Sequence, residues 1–402
     1  MKKLILSVGA IGMLLGSLSA QVITTDTTTN QALNSAQNII NSDKKITIGG
    51  YGQLDYNQKM QSDARSNGVL DVHRLVLFLG YRFTDRIHFV SELEFEHVYE
   101  VGVEQAFINY RLMKGLNLRA GLMLIPMGIV NEYHESTTYN GVERPALDSK
   151  IIPTTWREMG AGFSGNIDNL ALKYQVYAVN GAMGYNGGGK FRGTDGIRKG
   201  RQQGAESSMS SPNLAAKIDY YGIKGLKLGA AAYLGNTQST LYNNLPNNDT
   251  AGLLAQADSS VVGITMFGFD ARYKYKNFEA RGQVIKASLS NTAQYNTLSG
   301  KDLGASLFGY YGELGYNVLS FFNKSAKQQI VLFGRYEFYD THDKVEGDTP
   351  KNESYARTDI TMGITYHITN GAALKGDFQI RDNNAKGNKA YNQVNLGVAF
   401  WF

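Results

Sequence analysis

Side chains able to do chemistry are present in this chain but do not converge. The six histidines stand at His73, His88, His97, His134, His342 and His367, and His97 falls on the strand face opposite Glu96. No serine, histidine and acid form a local set, so the sequence carries no nucleophile motif. Gly184–Lys190, GYNGGGK, has the glycines and lysine of a phosphate-cradling loop. Phe191, however, stands where the Ser or Thr belongs, and we read the run as an accident of composition. Asp340, Asp343, Glu346 and Asp348 lack EF-hand spacing and are read as a solvated loop. Cysteine is absent, which excludes a disulfide framework and a lipidated cysteine. No catalytic residue, cofactor or metal ligand is expected.

What does recur is charge of both signs at every second position. In LDVHRLVLFLGYRF, Leu75, Leu77, Leu79 and Tyr81 share one face, with Arg74 and Arg82 on the other. In RIHFVSELEFE, Ile87, Phe89, Leu93 and Phe95 face away from Arg86, His88, Glu92, Glu94 and Glu96. Arg111 and Arg119 follow on the next two segments. A period of two is a strand, and strands apolar outward and polar inward make the wall of a membrane barrel. Arg74 is expected beside Glu94 and Glu96 at the outer end, with Arg82, Arg86 and Arg111 gathered at the inner end. Asp270, Arg272, Glu279 and Arg281 repeat the mixture further round. Such charges line a water-filled lumen, either merely balanced or as a field that sorts ions.

The elements that must position them begin at Ile46. Sixteen alternating segments run to Phe402, each near the ~9–11 residues of a tilted membrane strand. Short connections follow even segments and long ones follow odd segments, which is the transmembrane-barrel pattern. The fold class expected is all-β, an antiparallel barrel of about sixteen strands with its third long loop folded into the pore. That third loop is Ile125–Thr155, IPMGIVNEYHESTTYNGVERPALDSKIIPTT. It holds Pro126, Pro145 and Pro153 and the candidate constriction residues Glu132, Glu135, Glu143 and Arg144. Its length argues for function, and its prolines and Trp156 argue for packing. It carries four acids against two bases, while the 182–210 loop is basic through Lys190, Arg192, Arg198, Lys199 and Arg201. A basic loop draws anions toward the mouth or binds anionic headgroups.

Residues 1–20 read as a signal peptide: Lys2 and Lys3, then LILSVGAIGMLLG, then small residues ending at Ser19 and Ala20. Its removal takes the 40 basic residues to 38 against 35 acids, a net charge of +3. That is too little to suggest nucleic acid. Residues 21–45 are a polar leader, disordered or forming a short helix through Leu33, Ala36, Ile39 and Ile40. Residues 46–402 are the barrel. Its last segment places Val394, Leu396, Val398, Phe400 and Phe402 on one face, similar to the terminal signal of outer-membrane barrels.

The run ELEFEHVYEVGVEQAFINYRLMKGLNLRAGLMLIPMGIVNEYHESTTYNGVERPALDSKIIPTTWREMGAGFSG, Glu92 to Gly165, resembles the phosphate-selective porin O and P family of Gram-negative outer membranes, especially its Bacteroidota-type members. The resemblance implies a sixteen-stranded, usually trimeric channel whose third loop enters the pore, with selectivity resting on arginine and lysine clusters. The expected function is a porin passing small hydrophilic solutes or ions, with an anion or phosphate preference as the sharper form. The alternative is a surface barrel whose long loops bind a partner and whose lumen is plugged. Lipid bilayer, lipopolysaccharide, two further copies of the chain and small anions are the expected partners.

Overall fold

Alternation closes the chain on itself. A computed structural model describes residues 33–60, 65–246, 248 and 251–402, so residues 1–20, expected to be a signal peptide, lie outside the described residues. Sixteen strands form one closed antiparallel barrel. They are β1 (Ile46–Met60), β2 (Val69–Arg82), β3 (Ile87–Glu96), β4 (Glu100–Met113), β5 (Leu116–Leu124), β6 (Arg157–Ile167), β7 (Leu172–Val179) and β8 (Asn213–Tyr220). The second half comprises β9 (Leu226–Asn236), β10 (Gly263–Tyr275), β11 (Phe278–Ser290), β12 (Ser306–Asn317), β13 (Gln329–Lys344), β14 (Ala356–Thr369), β15 (Ala372–Asn383) and β16 (Tyr391–Trp401). Each strand pairs with the next, and β1 meets β16 in the register Tyr51 to Trp401. Among the described residues no helix is long and apolar enough to cross a membrane.

The outer face is apolar. Leu77, Leu79, Leu93, Phe163, Leu214, Phe267, Phe269, Leu332, Met362, Leu396 and Val398 are all exposed there. A belt of this size would drive association in water, whereas lipid satisfies it.

Loop lengths are less regular than the pattern predicts. The connection between β3 and β4 is only residues 97–99, with His97 and Val98 at positive φ. Conversely, residues 318–328 extend a nominally short connection with a 3₁₀ turn, Val318–Phe321. The topology has a direct test. Asn186 lies exposed in a long loop and Lys224 exposed in the short turn between β8 and β9. Single cysteines at these two sites are expected to label in intact cells at 186 and not at 224. Neighbouring Gly225 is unsuitable for a cysteine, since its φ is +81° and a Cβ would meet the Lys274 carbonyl at 2.3 Å.

The leader is ordered where it is described. Helix α1 (Ser35–Ile40) opens on a capping box, with the Asn34 side chain accepting from Gln37 N. It packs inside the barrel against β2 and β3. Ile39 presses so closely on β2 that a Cβ on Gly80 would sit 2.3 Å from its Cγ2. At the seam, Phe402 exchanges both backbone hydrogen bonds with Gly50, each 2.9 Å. Trp401 turns inward and stacks on Tyr51 at 5.7 Å. Deleting Phe402 removes the last pair of seam hydrogen bonds, so assembly is expected to slow. The fraction of heat-modifiable barrel in outer membranes measures this.

Candidate functional site: the constriction

The third loop crosses the lumen, and its neck is stapled shut. Ile125 N donates to the Trp156 carbonyl at 2.9 Å. Asn131 ties both sides, donating to the Ile125 and Trp156 carbonyls at 2.7 and 3.0 Å while accepting from Trp156 N at 2.7 Å. Buried polar groups need such partners, and this one side chain supplies three bonds. The loop then reaches wall after wall. Ser136 Oγ donates to the Gly52 carbonyl of β1 at 2.9 Å, and Val142 N donates to Asp377 of β15 at 2.6 Å. From β15, the Lys375 ammonium donates to the carbonyls of Ser136, Tyr139 and Gly141 at 2.5–2.9 Å. On the far side Gln283 of β11 accepts from Ile129 N and donates to Asp148.

The expected polar, water-filled lumen is present over only part of the bore. The loop's Ile125, Met127, Ile129, Leu147, Ile151, Ile152 and Trp156 are all buried. They join inward-facing Val179, Ala215, Tyr233, Ile264, Met266, Ile285, Ala287 and Leu307 in one core. Apolar side chains thus occlude the lumen beside β7–β12. Helix α1 adds to this from the short-turn side: Asn34 Nδ2 donates to the Glu132 carbonyl at 2.9 Å and Ser35 N to Glu135 at 2.7 Å. A cavity of about 140 Å³ remains between Tyr133, Asn140, Arg272, Arg281, Glu313 and His367.

Apart from Arg144, the candidate residues separate into three groups. Arg82, Arg86 and Arg111 lie at the rim and do not line the constriction. Arg82 pairs with Asp85 at 2.5 Å, Arg111 donates to the Asp85 carbonyl, and Arg86 is exposed. The strand end leaves them at the turn, beyond the reach of the loop. A second group is buried together where the loop meets β1–β4. Arg74 lies 3.6 Å from Glu94 and 4.0 Å from Glu104, and His134 contacts Glu104 at 3.0 Å and Glu92 at 3.7 Å. Burial opposes a charge on His134, but Glu104 outweighs it and pushes the pKa up to about 9. The third group consists of the loop acids and Arg119, which sit with partners on other walls. Glu132 accepts from Gln175 at 2.7 Å and faces Lys217 at 3.5 Å. Glu143 pairs with Arg381 at 2.5 Å. Arg119 bonds to Asn109 and Tyr177.

Glu104 was not among the candidates, because it is the extra residue of a β-bulge. Opposite β4, Glu92 pairs with Gln105 and Leu93 with Val103, so Glu104 and Gln105 both turn inward. A signal was available: the exposed apolar positions slip from odd (Val101, Val103) to even (Ile108, Tyr110).

Toward the long loops the free charge is positive. Arg198 and Arg201 of the 182–210 loop donate to the Thr154 carbonyl at 2.5 and 3.1 Å. Arg144 Nη1 has no hydrogen-bond partner among the described residues. Burial, and then Arg144, push the Arg198 pKa down to about 10. Burial, and then Arg198, Arg157 and Arg144, push that of Arg201 down to about 9. Lys150 and Arg357 extend the cluster. The acids that act on it are Glu96 and Asp195 at Arg198 and Glu94 and Glu104 at Arg144, and Asp195 is already held by Arg192 at 2.7 Å. Mutually repelling, half-buried guanidinium groups are a place where an anion relieves strain in the field. The acidic stretch at 340–348 has its own partners: Asp340 accepts from His342 N, Asp343 pairs with Lys286 and Glu346 accepts from Thr292.

A family model described as phosphate-selective porin O and P matches residues 46–396. An uncharacterized protein of Aquifex aeolicus (strain VF5) is 32% identical over 356 residues, covering 84% of this chain and 76% of that protein. Among solved structures, the anion-selective porin from Comamonas acidovorans has a TM-score of 0.55 at 13% identity, over 89% of this chain and 99% of that one. OmpT of Vibrio cholerae in its trimer form has a TM-score of 0.51 at 12% identity, over 89% and 100%. At these identities the structural likeness concerns the fold.

Proposed function

The chain belongs to the phosphate-selective porin O and P family, and from that premise we propose an anion-preferring diffusion channel narrowed by its third loop. Membership and the closed barrel make it an outer-membrane porin. The single observation that carries the anion preference is the cluster of Arg144, Arg198 and Arg201, with Lys150 and Arg357 beside it. Of the loop acids, Glu132 and Glu143 are already compensated by Lys217 and Arg381 on the wall. Small anions, chloride and phosphate among them, are the permeants on this reading, and no reaction is catalysed. Export through the N-terminal signal, trimeric assembly and contact with lipopolysaccharide belong to the same proposal. In favour of trimers, a relative in fold, the Vibrio cholerae OmpT, has a trimer form.

The test is the reversal potential in a potassium chloride gradient across a planar bilayer. Arg144→Gln, Arg198→Gln and Arg201→Gln together are expected to abolish the anion preference at low salt. The difference from the parent should shrink near 1 M salt, where the Debye length is about 3 Å. An unchanged reversal potential in the triple variant would refute this assignment. A second reading, a plugged surface barrel, draws on α1 and the apolar filling beside β7–β12. It requires that no steady current pass.

A further inference from the structure

We propose that His134, Glu104 and Glu92 bind one divalent transition-metal cation of the zinc type, pinning the constriction loop to the barrel wall. The donor atoms of these three fully buried residues lie within 4.8 Å of one another. Ligands sharing a tetrahedral zinc with bonds of about 2.0–2.2 Å are separated by about 3.4 Å. The His134 Nε2 distances to Glu104 and Glu92, 3.0 and 3.7 Å, bracket that value. The Tyr51 hydroxyl, 2.8 Å from Nε2 and 3.1 Å from Glu104, stands at the fourth corner.

Two independent features mark these groups as ligands rather than an ordinary ion pair. His134 Nδ1 lies 3.3 Å from the Asn131 carbonyl. With a cation in place of the Nε2 proton, Nδ1–H donated there gives the usual outer arrangement of a metal-binding histidine. Gln105 likewise holds Glu92 Oε2 at 2.9 Å. The second feature is unmet negative charge. Glu92 Oε1 and Glu135 Oε2, both in fully buried side chains, have no hydrogen-bond partner among the described residues. Glu104 Oε1 likewise has no hydrogen-bond partner among the described residues, and its ion-pair distance to Arg74 is 4.0 Å. Orphaned buried carboxylate oxygens are costly, and a dication answers them better than the single proton that His134 can hold. Imidazole with two carboxylates suits zinc. The sequence concealed the set because the ligands come from β3, from the bulge of β4 and from the loop.

The inference is independent of ion selectivity. Its test uses the full barrel, without an affinity tag, refolded into detergent with Zn²⁺ and then desalted. One zinc per chain is expected, lost at least tenfold in His134→Gln and in Glu92→Gln, with heat-modifiability confirming that both fold. Refolding the parent with Co²⁺ provides a readout that needs no variant: visible absorption of a low-symmetry nitrogen–oxygen site. Parent protein with no retained zinc and no cobalt spectrum would overturn the proposal. So would equal retention in folded His134→Gln.

Discussion

Replacing Glu132–Gly141 with a short Gly-Ser bridge is expected to raise single-channel conductance several-fold. This segment is tied to one side of the barrel through Gly52 on β1 and Lys375 on β15, two strands apart. It also donates from Asn140 to Glu279 and Glu313. The barrel should survive the change. The neck at Asn131 and the apolar residues Ile125, Met127, Ile129, Leu147 and Trp156 remain, and they pack into the same core as the wall residues. Lys375 loses its three carbonyls, but water entering the widened bore replaces them. Equal conductance in the bridged variant would mean that ions pass elsewhere.

Deleting residues 33–42 is expected to give the second-largest increase. Helix α1 occupies the lumen at the short-turn side, with Ile39 against Gly80 and its first turn bonded to Glu132 and Glu135. Its removal opens the half-bore beside β2 and β3 and frees Glu135, whose Oε1 then loses the Ser35 amide. A loosened loop should also make the current noisier. If conductance and noise both match the parent, the helix is a passenger and not part of the restriction.

Much of this architecture was readable from alternation alone. Leu77 and Leu79 outward, with Arg74 inward, required only the period of two, and a lumen-crossing Ile125–Thr155 required only its length and prolines. Three features escaped for physical reasons. The bulge at Glu104 breaks the phase, so strict alternation sends that carboxylate to the wrong face or to none. The filled side of the lumen was encoded in strands apolar on both faces, such as Ile264–Phe269, where Ile264 and Met266 face in and Phe267 and Phe269 face out. Burial on both faces produces such runs, whereas the inward charges of the other strands point to a wet lumen. The pairing of loop acids with Lys217 and Arg381 depends on residues far away in sequence, so a count of loop charges does not show which of them are compensated.

On the proposed reading an open, positively charged path survives beside the loop and the helix. Single-channel recording of the parent barrel across a tenfold potassium chloride gradient at low salt tests it most directly. The account predicts discrete conductance steps and a reversal potential of the sign set by chloride. A silent bilayer containing demonstrably folded barrel, or a reversal potential of the sign set by potassium, would contradict it.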